Sequence, residues 1–267
     1  MDALATIHPA MVSLLANILT LLLCVGSAFA WRGWLVRQTE FDDRQFPLRE
    51  CSPPRLPRTT LALGGMCLAL LLSGFILDML IAEPKAQPSP EGASLWQIQL
   101  GFAFDIVLTV LLAGSLIVEH EHLRQSGLYL HPLRPQLRDA WIGFLMAIGP
   151  VFLVLMLSEG AGLRGNEPEH ELLRTLTEHG SAAKWFWISL TAVVAAPLAE
   201  ELIFRVVLQG WLESRVPAAT AIGLSSLLFC LVHNFPDAIA LVPLAVILGY
   251  IQQRRRSYLT VVVIHML

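Results

Sequence analysis

Two adjacent acidic residues inside an apolar stretch are the first candidates for chemistry in this chain. Glu200 and Glu201 fall within the apolar run 185–212, and Arg205 follows about one helical turn later. A charged side chain at the centre of a bilayer costs about 2.5–3.5 kcal/mol on insertion scales. Three such residues within six positions therefore indicate a functional site rather than ordinary packing.

The spacing of these residues predicts different roles for the two carboxylates. Adjacent side chains on a helix point about 100° apart, so we expect that both carboxylates cannot aim at one spot. Glu201 and Arg205 are four residues apart, which is the spacing of a helix ion pair. Glu200 is then the carboxylate available to act as a general base that takes a proton from water. Pro197 removes a helix hydrogen bond just upstream and is expected to kink the helix.

Two histidines in later apolar stretches can reach the same depth as Glu200. Glu200 lies 15 residues before Arg215, and His233 lies 17 residues after Val216, across one predicted turn. At a rise of 1.5 Å per residue the two depths agree within roughly 3 Å, so Glu200 and His233 can face each other. His265 is expected to lie shallower, where helix tilt could bring it close. Imidazoles beside a carboxylate could orient a water, bind a metal or donate to a developing oxyanion.

The composition predicts an all-α membrane protein. Of 267 residues, 55% are hydrophobic and only 15% are charged, whereas soluble domains are about one-quarter charged. A membrane-spanning helix needs about 20 apolar residues. We therefore predict a bundle of about eight transmembrane helices, at residues 9–30, 59–82, 95–118, 139–158, 185–212, 218–235, 238–251 and 258–267.

The predicted organisation is one membrane domain in three parts. Residues 1–158 hold four helices, residues 159–184 form an external connection with a short amphipathic helix, and residues 185–267 hold the catalytic core helices. Lys and Arg collect in alternate connections, which predicts that the N-terminus is outside. The net charge of -3 argues against a nucleic-acid partner.

The polar residues resemble the motifs of the CAAX protease and bacteriocin-processing (CPBP, or ABI) family of intramembrane endopeptidases, which includes the type II CAAX prenyl proteases. Residues 196–205, APLAEELIFR, fit the family's Glu-Glu-x-x-x-Arg motif with its upstream proline. Residues 229–233, FCLVH, fit Phe-x-x-x-His. His265 fits the start of His-x-x-x-Asn/Asp, whose last residue would lie two positions past Leu267. Either the sequence is a piece of a longer protein, which we expect, or this protein lacks that residue.

The resemblance implies a role for each residue of the site. Glu200 would activate the water, His233 would position it, and His265 would stabilise the oxyanion. Glu201 and Arg205 would hold the local structure. Glu200, His233 and His265 could also bind zinc, and a metal-free glutamate mechanism would use the same residues.

The sequence therefore predicts an intramembrane endopeptidase of a bacterial or archaeal cell membrane, embedded in the lipid bilayer. Its substrate would be a membrane protein or a lipidated peptide: a prenylated protein, a bacteriocin precursor or a C-terminal sorting signal. The alternatives are a catalytically silent relative that serves as an immunity or scaffold factor, and a transporter with a buried charge relay. Asp105, about ten residues into the third predicted helix, either pairs with a polar group in the bundle or lines the substrate path.

Overall fold

The computed structural model describes residues 9–39, 53–80, 93–118, 126–163, 180–233 and 237–267. Within these ranges every regular element is a helix and none is a strand, which confirms the all-α prediction. The described residues form eight helices. They are α1 (Pro9–Thr39), α2 (Arg58–Leu80), α3 (Leu95–Val118), α4 (Leu133–Gly160), α5 (residues 182–213), α6 (Ala218–Leu231), α7 (Asp237–Arg255) and α8 (Tyr258–Met266). The amphipathic helix predicted between residues 159 and 184 lies mostly outside the described residues.

The outer surface of the bundle is apolar. Among the described helices, α1, α3 and α4 are each long and apolar enough to cross a membrane. Large side chains such as Leu21, Phe29 and Val110 are more than half exposed on these helices. Soluble monomers rarely expose apolar surface on this scale, whereas a hydrocarbon layer about 30 Å thick matches it. The apolar helices support an integral membrane protein.

Helix α5 carries the acidic pair and lies at the centre of the packing. Helices α2 and α3 pack against it, and α6 and α8 contact it as well. Helix α4 packs against α1, α7 and α8. Leu112 and Leu116 of α3, Phe204 of α5 and Phe229 of α6 are fully buried in one apolar cluster. Because lipid tails are as apolar as these side chains, close van der Waals packing is what holds such helices together in a membrane.

The proline in α5 is accommodated by a change of helix type. Segments Thr191–Ala195 and Leu202–Gln209 are π-helical, and the α-helical turn Ala196–Glu201 lies between them. The N–H of Ala196 donates to the carbonyl of Thr191, five residues back. The distortion expected at Pro197 is thus a widening of the helix, which proteins often use at functional sites.

The turn between α7 and α8 fixes where α8 begins, and so fixes the helix that carries His265. Arg256 has a φ of 46° and Gly127 has a φ of 84°. A Cβ on Gly127 would lie 2.7 Å from the carbonyl oxygen of Arg256, so only glycine fits there. The N–H of Tyr258 donates to the Gly127 carbonyl at 3.0 Å. The hydroxyl of Ser257 donates to Gln136 of α4 at 2.6 Å.

Two ion pairs hold the same turn to its neighbours. Nε of Arg255 lies 2.8 Å from Oδ2 of Asp139 in α4. Arg256 pairs with Glu213 at the end of α5. Asp139 is 3% exposed, and removing one partner of a buried pair typically costs 3–5 kcal/mol. These pairs therefore set the position of α8 against α4 and α5.

Candidate active site

Glu200 faces two imidazoles that come from different helices. Its Oε1 lies 4.0 Å from Nε2 of His233, which follows the end of α6. Its Oε2 lies 3.8 Å from Nε2 of His265 in α8. The depth argument from the sequence is therefore confirmed for Glu200 and His233. The structure also brings His265 to the same carboxylate.

Exposure separates the residues of the site into two groups. The side chains of Glu200, His233 and His265 are 25%, 28% and 14% exposed. Those of Glu201 and Arg205 are not exposed at all. The first three can therefore meet a substrate, while the other two can act only through their neighbours.

Glu201 is held from both sides. Its Oε2 lies 3.3 Å from Nε of Arg205, which confirms the ion pair expected from the spacing of four. Its Oε1 lies 2.9 Å from Nδ1 of His265, and a carboxylate oxygen can only accept, so Nδ1 carries the proton. Glu201 therefore orients the imidazole that faces Glu200.

The two adjacent carboxylates both approach His265, although they do not share an atom of it. Glu200 and Glu201 approach the two different nitrogens of the same ring. A divergence of about 100° between neighbouring side chains excludes a shared atom, but it does not exclude opposite edges of an imidazole. Glu200 and Glu201 therefore point apart, as their spacing predicts, and still reach two nitrogens of one ring.

His233 is oriented by the end of its own helix. Its Nδ1 lies 2.7 Å from the carbonyl oxygen of Phe229, four residues earlier. The last carbonyls of a helix have no partner within the helix, so this one is available to accept. Because the carbonyl must accept, the proton lies on Nδ1 and the Nε2 of a neutral ring turns its lone pair toward Glu200.

The ring of Phe229 lies against three residues of the site. The sequence indicated Phe229 only as a position in the second motif. Its ring centre lies 4.6 Å from that of His233 and 5.8 Å from that of His265. The guanidinium carbon of Arg205 lies 4.8 Å from the same ring centre. This is a cation–π contact, and it is worth most where water is excluded. The ring thus packs between the two histidines and the buried arginine.

The charged side chain of Arg205 is fully buried, which is uncommon for arginine. Within the described part of the chain its guanidinium nitrogens have no hydrogen-bond partner, and its only charge partner is Glu201 at ion-pair distance. Charged groups are rarely buried in this way unless they are paired. Its position therefore depends on Glu201 and on the face of Phe229.

Tyr258 links the helix of His265 to the helix of Glu200. Its hydroxyl donates to the carbonyl of Leu198 in α5 at 2.7 Å. Leu198 lies two residues before Glu200, in the α-helical turn between the π segments. The sequence placed Tyr258 only on the approach to the third motif, and no spacing rule could have indicated this contact.

The trio does not fit a tetrahedral zinc as it stands. Zinc binds nitrogen and oxygen at about 2.0–2.2 Å, which separates tetrahedral ligand atoms by roughly 3.3–3.6 Å. Here Glu200 lies 3.8 and 4.0 Å from the two imidazole nitrogens. Among the described residues, no group of three or more His, Cys, Asp or Glu side chains is arranged to hold a metal ion.

Comparison with known proteins finds a family whose model matches the C-terminal part of the chain. Residues 182–267 match the family described as type II CAAX prenyl endopeptidase Rce1-like. The match confirms, for these residues, the family resemblance predicted from the three motifs. It supports a protease in general terms. No curated protein and no solved structure matches the chain.

Proposed function

We propose that this chain, whose residues 182–267 match the type II CAAX prenyl endopeptidase family, is an intramembrane endopeptidase with Glu200 as its general base. The observation that carries the proposal is the position of Glu200 between the Nε2 atoms of His233 and His265. A base, a group that orients water and a group that can donate to an oxyanion are the parts that peptide hydrolysis requires.

The distances in the trio suit a shared water. Separations of 4.0 and 3.8 Å are too long for direct hydrogen bonds. They are of the size at which one water oxygen can bond to the carboxylate and to an imidazole together. The Nε2 of neutral His233 accepts one O–H of that water, while Glu200 accepts the other.

The reaction then follows from these contacts. The water oxygen attacks the carbonyl carbon of the scissile peptide bond, and its proton passes to Glu200. When both nitrogens of His265 carry a proton, Nδ1–H keeps its hydrogen bond to Glu201 and Nε2–H donates to the oxyanion of the tetrahedral intermediate. The C–N bond breaks, and the proton on Glu200 passes to the departing amine. General base catalysis of this kind contributes roughly 10²–10⁴-fold in rate.

Glu201 and Arg205 take no direct part in this scheme. Both are fully buried, and their task is to hold the imidazole of His265 in place. A carboxylate that fixes the orientation of a catalytic imidazole performs the same task in other hydrolytic sites.

For the substrate, we propose a membrane-associated or lipidated protein cut at or within the bilayer. The matched family is described as type II CAAX prenyl endopeptidase Rce1-like, so a farnesylated CAAX peptide is the first probe. Transmembrane peptides and bacteriocin precursors are the next probes. We propose that the protein acts in a bacterial or an archaeal cell membrane.

The experiment uses the purified full chain in liposomes with a fluorescent farnesylated CAAX peptide and a set of transmembrane peptides. Wild type should cleave at least one of them, and Glu200→Gln and His233→Ala should not. Glu159→Gln is the matched control because Glu159 is an exposed carboxylate at the end of α4. It should cleave at the wild-type rate.

The alternatives give different results in the same assay. Equal cleavage by wild type and Glu200→Gln would remove Glu200 from the mechanism. No cleavage of any probe by wild type would favour the silent relative. Ion uptake into the liposomes without cleavage, lost in Glu200→Gln, would favour the transporter.

A further inference from the structure

Asp105 belongs to α3, outside the residues that match the family. Leu108 and Leu112 follow it three and seven positions later, a spacing that puts all three on one face of the helix. Both leucines are buried in the apolar cluster that includes Ala199 of α5. Helix α3 packs directly against the Ala196–Glu201 turn. Asp105 therefore lies on the face of α3 that covers the proposed catalytic helix.

The face of α3 that carries Asp105 and the turn that carries Glu200 pack against each other. Like charges at one helix interface repel each other. The side chain of Asp105 is partly exposed. One of the two alternatives drawn from the sequence, in which Asp105 lines the path of the substrate, stays a prediction.

The other alternative, a polar partner within the bundle, is not found in the described part of the chain. There the Asp105 carboxylate makes no hydrogen bond or ion pair, and only its backbone carbonyl accepts a bond, from Thr109 at 2.8 Å. The buried carboxylate of Glu201, by contrast, is matched by Arg205. The acidic charge beside Glu200 is therefore unbalanced on the protein side.

An unbalanced acidic charge in a membrane is costly, about 2.5–3.5 kcal/mol on insertion scales. The scheme above also requires Glu200 to be an anion when the water is activated. A cation brought in by the substrate would offset the charge of Asp105. A neutral side chain in its place would leave that charge unbalanced.

We propose that Asp105 is a specificity-determining residue, which favours substrates with a Lys or Arg side chain close to the scissile bond. The proposal rests on the proposed function, because it takes Glu200 as the site of cleavage. The ammonium or guanidinium group would lie between α3 and α5 and bond to the Asp105 carboxylate. Charge complementarity of this kind selects between otherwise similar ligands.

The test compares two fluorescent peptides that differ only by lysine or norleucine, with the substitution moved through the four positions on each side of the scissile bond. Binding is measured to Glu200→Gln in liposomes, so that cleavage does not interfere. At one or more positions the lysine peptide should bind about tenfold more tightly, which is about 1.4 kcal/mol. Adding Asp105→Asn should bring the ratio to about one, and Asp105→Glu should retain it.

The controls separate specificity from structure. Glu159→Gln, which removes a distant exposed carboxylate, should leave the binding ratio unchanged. If Asp105 had only a structural role, Asp105→Asn would weaken the binding of both peptides equally, and that result would overturn the proposal. So would a ratio near one at every position before Asp105 is changed. Because binding needs no turnover, a failure to cleave would count against the proposed function alone.

Discussion

Nδ1 of His265 lies 2.9 Å from Oε1 of Glu201. The carboxylate next to the proposed base therefore holds the imidazole that faces that base. This contact gives the two adjacent acids separate tasks: Glu200 faces the substrate, while Glu201 fixes the ring from the far side. It also joins α8 to α5 at the point where the chemistry is proposed.

The two carboxylates should respond differently to the same substitution. Glu200→Gln should slow cleavage by roughly 10²–10⁴-fold and leave the melting temperature close to wild type, because Glu200 is partly exposed. Glu201→Gln should lower both, because it leaves Arg205 buried without a charge partner. Such a loss costs about 3–5 kcal/mol in a buried pair. Tryptophan fluorescence during heating, with cleavage measured on the same samples, checks this. Equal melting temperatures for the two variants would contradict the assignment.

Removing the Tyr258 hydroxyl tests the link between α8 and α5. Tyr258→Phe keeps the ring and loses one hydrogen bond to the Leu198 carbonyl, at a cost of about 0.5–1.5 kcal/mol. We expect a several-fold lower kcat with KM little changed. The lost hydrogen bond holds α8, which carries His265, against α5, which carries Glu200.

Tyr129→Phe is the matched control for that substitution. It removes the hydroxyl bond to the Arg255 carbonyl at 3.2 Å, which is made at the turn rather than at Glu200. It should lower the free energy of unfolding by a similar amount without lowering kcat. An equal fall in both variants would mean that Tyr258 acts on stability alone.

Gly127 should tolerate no side chain. Gly127→Ala would place a Cβ 2.7 Å from the Arg256 carbonyl at a φ of 84°, so the turn that begins α8 must shift. Left-handed backbone alone costs a residue with a Cβ about 1–2 kcal/mol. We expect a lower melting temperature and lower activity, measured as above.

Gly114→Ala provides the comparison for Gly127→Ala. A Cβ at Gly114 meets nothing within 4 Å, and alanine favours a helix interior over glycine by about 0.5–1 kcal/mol. This variant should be as stable as wild type or slightly more so. A Gly127→Ala protein with the same stability would show that the turn does not position α8.

Metal chelation should leave cleavage unchanged. The distances around Glu200 exceed those of a tetrahedral zinc site, and the proposed scheme uses only side chains and water. Cleavage is measured after dialysis against EDTA and 1,10-phenanthroline, with a zinc protease as the positive control. Loss of activity that added zinc restores would overturn the metal-free scheme.

The sequence was sufficient for the parts of the site that follow from helix geometry. The pairing of Glu201 with Arg205 depends on a spacing of four, and the meeting of Glu200 with His233 depends on equal depth in a hairpin. The helical fold follows from composition and length.

The other contacts depend on how separate helices turn about their axes. No spacing rule sets the angle at which α8 presents His265 to Glu201, or the face of α3 that packs against the turn carrying Glu200. The π-helical segments beside Pro197 also change the rotation per residue within α5. These features arise from packing, so local sequence patterns could not predict them.

The most direct test of Glu200 as the base for a hydrolytic water is single-turnover cleavage in ¹⁸O-labelled water, with the products analysed by mass spectrometry. Wild type should place one ¹⁸O in the new carboxyl terminus. Folded Glu200→Gln should be slower by roughly 10²–10⁴-fold. Cleavage by Glu200→Gln at the wild-type rate, or a wild-type product without ¹⁸O, would contradict this role for Glu200.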